Sequence, residues 1–153
     1  DILLRAEDGR GKYTWKEINA AISKVMREYR GELMSEYTMQ IGLKWLEELE
    51  ESEAQEMYAR NPHELTRALE VLNLLEIAKL ILHASLARKA SSKALEFYRV
   101  DYPELDPPEW NKHITLRLVN GDVEIGELPL DYYLQPPNKP TLAENYEHHK
   151  PWK

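Results

Sequence analysis

The sequence predicts a mainly α protein: a helical bundle of three or more helices, followed by a β-hairpin and a proline-rich extended arm. Three observations lead there. Apolar residues recur at helical spacing through the first two thirds of the chain, and the spacing changes to alternation after Trp110. The last stretch then carries four of the nine prolines between Pro129 and Pro140, with another at Pro151, too many for a helix or a central strand. The expected organisation is a bundle over 1–112, a hairpin over 113–128 and an arm over 129–153 lying on another surface.

The first bundle helix is announced by Thr14-Trp15-Lys16-Glu17, which has the form of a capping box. Trp15, Ile18, Ile22, Val25, Met26 and Tyr29 then mark one apolar face, until Arg30-Gly31 stops the helix, so its expected span is 15–29. A second helix, near 36–50, opens at Ser35 with Ile41, Trp45, Leu46 and Leu49 facing inward, and runs into a Glu-rich surface. The third, near 62–90, has Asn61 as N-cap, Pro62 at the first helical position and Glu64 as the returning carboxylate. From Leu65 to Leu86 its apolar residues cover far more than one stripe, so it is expected to be central and buried on several sides.

After Trp110, Ile114, Leu116 and Leu118 alternate with Thr115 and Arg117; Asn120-Gly121 supplies a two-residue turn, and Val123 and Ile125 alternate with Glu124. That loop sets the register. Leu118 should face Val123, Leu116 should face Ile125, and Arg117 should meet Glu124 on the other side.

Composition excludes several classes of function. The formal charge is −7 with no long basic stripe, so the electrostatic footprint of nucleic-acid binding is missing. Cysteine is absent, which removes disulfides, thiolate metal sites and cysteine nucleophiles from this chain, and makes a cytoplasmic location the easier reading. No apolar run approaches the roughly 18 residues of a membrane span. No Gly-rich phosphate loop follows a strand pattern, the adjacent His148 and His149 diverge, and no catalytic, cofactor-binding or metal-binding residue is assigned. The start at Asp1 suggests a piece of something longer.

One seam invites a functional reading. Between Arg88 and Arg99 stand four bases (Arg88, Lys89, Lys93, Arg99) against the single acid Glu96; between Asp101 and Glu109 stand four acids and no base. The simpler reading is a positive helix end complementing the helix dipole, followed by a solvated loop. The alternative is a docking surface formed by Arg88, Lys89, Lys93, Arg99, Tyr102 and Trp110.

The wording of the seam is informative beyond its charges. Ala87 to Lys93, Arg99 to Trp110 and Lys112 to Leu130 closely resemble the C-terminal end of the alpha subunit of dissimilatory adenylylsulfate reductase, and the resemblance extends back through Arg60 to Ala84 and Asp8 to Met26. That enzyme is similar to the fumarate reductase and succinate dehydrogenase flavoproteins, and Lys89, Ser91, Arg99, Asp101, Tyr102, Pro103 and Trp110 fit the wider pattern. The chain departs from it at Ser92 to Leu95, where the wider group has Arg-Gly-Ala-His, and the spacing to Arg99 is longer.

The resemblance implies an enzyme that reduces adenosine 5'-phosphosulfate to AMP and sulfite at an FAD, with electrons from an iron-sulfur beta subunit. FAD and the catalytic residues would lie outside this chain, in flavin-binding and capping domains of the same subunit. This chain would then be a structural and docking module, inactive alone; independently of the resemblance, the apolar residues from Leu65 to Leu86 predict self-association. A fumarate reductase or succinate dehydrogenase C-terminal domain, or a self-standing helical interaction module, remain as alternatives.

Overall fold

The computed structural model describes residues 1–130 and Glu144. The arm expected over 129–153 lies, beyond Leu130, outside the described residues. The elements are α1 (Ile2–Glu7), α2 (Trp15–Tyr29), α3 (Glu36–Glu51), a 3-10 turn (Glu53–Glu56), α4 (Pro62–Ala87), a second 3-10 turn (Pro108–Trp110), and the strands β1 (Lys112–Val119) and β2 (Asp122–Pro129).

The helices begin where their side chains can satisfy the first free N–H groups. At α2, the Thr14 N–H donates to the Glu17 carboxylate at 2.7 Å. At α3, Ser35 Oγ accepts from the Thr38 N–H at 3.2 Å, while the Thr38 hydroxyl accepts from the Ser35 N–H at 3.0 Å. At α4, Asn61 Oδ1 accepts from the Glu64 N–H at 2.9 Å, and the Glu64 carboxylate reaches one residue past the cap to the Arg60 N–H at 2.8 Å. The short α1 carried no recognised sequence signal. It is held from outside, by Arg5 donating to the Met57 carbonyl at 3.0 Å and by Ala59 N–H donating to the Ile2 carbonyl at 3.3 Å.

The core lies where α2, α3 and α4 meet. Ile18 and Ile22 come from α2, Met39, Leu46 and Leu49 from α3, and Ala68, Val71, Leu75, Ala78 and Leu82 from α4. Each fully buried large side chain contributes roughly 1.5–3 kcal/mol. Gly42 lets α2 and α3 approach, since a Cβ there would stand 2.6 Å from Cβ of Tyr29. Met34, Met57 and Phe97, all from connecting segments, seal the ends.

Two expectations about the helices need correction. The buried positions of α4, at 68, 71, 75, 78, 82 and 85, form a single seam, and Leu69, Leu74, Ile77, Leu80 and Ile81 are exposed. Among the described residues α4 is therefore not buried on several sides. Likewise Trp45 does not face inward but is 52% exposed.

The two strands pair antiparallel in the expected register, Leu118 opposite Val123, Leu116 opposite Ile125 and Arg117 opposite Glu124. Asn120 and Gly121 both take positive φ, as a tight hairpin turn of this kind requires. Leu118 and Ile125 nevertheless remain exposed, so the hairpin's apolar face is largely uncovered.

Candidate functional site

The seam folds as an irregular strap over the C-terminal end of α4, and Arg99 is its centre. Arg99 was expected on a docking surface. It is instead 1% exposed, and the physical reason is its set of partners. Nη1 donates to the carbonyls of Ser85 at 2.9 Å and Arg88 at 3.0 Å, with a longer contact to Leu86 at 3.4 Å. These are carbonyls that a helix end leaves without an intrahelical partner. Nε and Nη2 form a two-pronged pair with the Asp101 carboxylate at 2.7 and 2.6 Å, and the Tyr102 ring lies 4.9 Å from the guanidinium carbon.

This arrangement also ends the helix. α4, expected to reach residue 90, stops at Ala87, and Arg88 turns to extended backbone with its carbonyl aimed at Arg99. The positive end that a helix dipole favours is thus supplied by a residue eleven positions further along the chain.

Asp101 carries the tie across to α3. Its Oδ2 accepts from the Glu36 N–H at 2.8 Å, at the first turn of that helix. The hydrogen bond from Arg99, with that from Glu36 helping, holds its carboxyl down to about 2. Met34 closes the same joint, donating its N–H to the Tyr98 carbonyl at 3.1 Å and accepting from the Val100 N–H at 2.8 Å.

Ser91 organises the strap from inside. Its buried hydroxyl accepts from the Arg99 N–H at 2.8 Å and donates to the Tyr102 carbonyl at 2.8 Å. Its backbone pairs with Glu104 at 3.0 Å and Asp106 at 2.9 Å. The departure at Ser92 to Leu95 is a surface turn closed by two backbone hydrogen bonds between Ser92 and Phe97, at 2.7 and 3.0 Å.

The remaining docking candidates divide. Lys89 and Lys93 are exposed, as expected of surface residues. Tyr102 and Trp110 are half-buried, Tyr102 under Arg99 and Trp110 between Arg88 and Lys112, whose cationic groups lie 5.8 and 4.5 Å from its ring. Arg88 also donates to the Trp110 carbonyl at 3.2 Å. The structure therefore does not bring the six into one surface; Ser91, which the docking reading did not include, is the hub joining Arg99 to Tyr102. No three His, Asp or Glu side chains converge as a metal site among the described residues, and no described helix is long and apolar enough to cross a membrane.

The described residues thus form a three-helix core whose main helix ends on a buried arginine, followed by a hairpin. The chain belongs to the family described as fumarate reductase flavoprotein C-term, which matches residues 19–142. It is similar to adenylylsulfate reductase from Archaeoglobus fulgidus, at 25% identity and a TM-score of 0.68 over 76% of this chain and 19% of that one. It shares its fold with a quinol fumarate reductase chain of E. coli, at 24% identity and a TM-score of 0.65 over 84% of this chain and 23% of that one. The fold is shared too with the Sdh1 complex of Mycobacterium smegmatis in its apo form, at 21% identity and a TM-score of 0.66, over 97% of this chain and 27% of that one. The chain thus spans about a fifth of the reductase chain named first. No curated protein sequence matches it significantly.

Proposed function

We propose that this chain is the C-terminal helical domain of an adenylylsulfate-reductase-like flavoprotein subunit, serving as a structural and docking module without catalysis of its own. The observation that carries the docking role is the outer face of α4, where Leu74, Ile77 and Ile81 recur at helical spacing and are 45%, 50% and 40% exposed. A contiguous apolar face of this kind marks a contact surface. The natural cover is the flavin-binding part of the same subunit, with Lys89, Lys93 and the edge of Trp110 extending the contact toward an iron-sulfur subunit.

In this reading FAD is held outside this chain. A dinucleotide needs a strand, a Gly-rich turn and a helix N-terminus with free N–H groups. Here the N-termini of α3 and α4 are capped by their own side chains, and the only sheet among the described residues is an antiparallel hairpin. Flavin chemistry accordingly falls to the rest of the subunit in this reading.

The substrate half of the proposal rests on the likeness to adenylylsulfate reductase and on the surface turn at Ser92 to Phe97. It is tested on the complete subunit co-expressed with its iron-sulfur partner, by following ferricyanide reduction driven by sulfite and AMP together. Turnover that requires both is expected. Turnover with succinate or fumarate and none with sulfite and AMP would move the chain to the runner-up, a fumarate reductase or succinate dehydrogenase subunit, which the shared fold favours.

A further inference from the structure

Between the end of α2, the C-terminal end of α4 and the start of β1 lies an open cleft of about 420 Å³. Among the described residues its charged lining is Arg30, Arg88 and Lys112, with His113 beside them and no Asp or Glu; the rest of that wall is apolar, chiefly Ile81, Phe97 and Ile114, apart from Ser85. A cleft of one charge sign with apolar walls is notable on a chain of net charge −7.

The two arginines are incompletely satisfied. Nε of Arg30 and Nε of Arg88 are both closed off from solvent and neither has a hydrogen-bond partner. Neither guanidinium forms an ion pair with a described residue. Arg30 rests on the Phe97 ring at 5.2 Å, and burial alone pushes its guanidinium below the ordinary arginine value. Glu32 and Glu96 border a separate opening on another side of Arg30, and Asp106 lies in a neighbouring cavity that shares Arg88. Neither opening brings a carboxylate within ion-pair distance. Lys112 is already engaged with Glu127 at 2.7 Å, and the Arg88 charge acts through space on Asp106, helping to lower its carboxyl, so Arg30 carries the least answered charge and Arg88 a partly answered one.

We propose that this cleft binds a small organic oxyanion, its charged oxygens taken by Arg30 and Arg88 and its apolar body laid against Phe97 and Ile114. Guanidinium groups recognise carboxylate and phosphate alike through paired N–H donors. The cleft falls in the range of small-ligand sites, roughly 300–1,000 Å³, in which an apolar wall with a few placed polar groups is usual. This binding is a property of the chain itself and does not depend on the enzyme it serves.

The test titrates this chain with phenyl phosphate, benzoate and inorganic phosphate at fixed ionic strength, following the arginine Nε–H signals by NMR. Saturable shifts at Arg30 and Arg88 are expected, with an organic anion binding about tenfold or more tightly than inorganic phosphate because only it covers the apolar wall. Whichever of phenyl phosphate and benzoate is tighter identifies the head group as phosphoryl or carboxylate. Arg30→Lys and Arg88→Lys should each weaken binding about tenfold, since an ammonium cannot supply the fork, while the exposed Lys89→Gln leaves it unchanged. Should the lysine variants fold poorly, the unmodified chain still decides: its melting temperature rises with phenyl phosphate and not with sodium chloride of equal ionic strength. Shifts that never saturate, or an equal response to chloride, would overturn the site.

Discussion

Arg99 shows how a charge survives in the interior of a small domain. Its guanidinium is matched by a two-pronged carboxylate and by helix-end carbonyls, so each of its three nitrogens has a hydrogen-bond partner. Removing the arginine leaves the helix-end carbonyls without their donor, while the partly exposed Asp101 can turn to water, at a cost of about 1–3 kcal/mol. Arg99→Met should destabilise the chain by that order, and Ser91→Ala, which leaves the buried Arg99 N–H without its acceptor, by about 1–3 kcal/mol. Urea denaturation followed by circular dichroism measures both. The pH dependence has a definite sign: Asp101 titrates near 2 when folded, below its ordinary 3.8. Its stabilisation is therefore complete above the ordinary value and lost as pH falls through about 2. In thermal melts across that window, Asp101→Asn should lose less stability than the parent chain.

Arg99 was also the residue the sequence concealed best. Periodicity reports burial only where the backbone is regular, and Ser91 to Tyr102 is neither helix nor strand. Four bases in a short span look like a surface; only the tertiary position of one of them, beneath the free carbonyls of α4, makes it interior. Lys89 and Lys93, on the same strap, do lie outside.

At the scale of elements, local chemistry was the better guide. Thr14, Ser35 and Asn61 each sit at a helix start, and Asn120-Gly121 places every hairpin pair, because caps and tight turns depend on a few neighbouring atoms. The end of α4 and the whole of α1 depend on residues far away in sequence, so no local signal marked them. Packing between helices was equally silent at Gly42. Replacing a mid-helix glycine by alanine ordinarily stabilises by roughly 0.5–1 kcal/mol. Here the new Cβ would overlap Tyr29, and Gly42→Ala should destabilise instead, by about 1–3 kcal/mol. A melting temperature above that of the parent chain would show that α2 and α3 can separate at no cost.

For the molecule as a whole, the uncovered side of α4 outweighs its buried seam in consequence. Expressed alone, the chain should self-associate through Leu74, Ile77 and Ile81. Sedimentation velocity should show reversible dimers or larger species that Ile77→Glu with Ile81→Glu abolishes, while helicity is retained. A strictly monomeric parent chain at high concentration would mean that this face is too small or too interrupted to act as an interface.

The strap has a temporal consequence as well. Asp101 bonds to an amide 65 positions earlier in the chain, and Arg99 holds the last carbonyls of α4 through the same carboxylate. Neither helix end can then fray by itself: opening one releases the other. Hydrogen exchange should register this as a single cooperative unit, in which the amides of Glu36, Arg99 and Val100 exchange with one common free energy instead of the graded pattern of independent helix termini. In Asp101→Asn that unit should split, with Glu36 exchanging first.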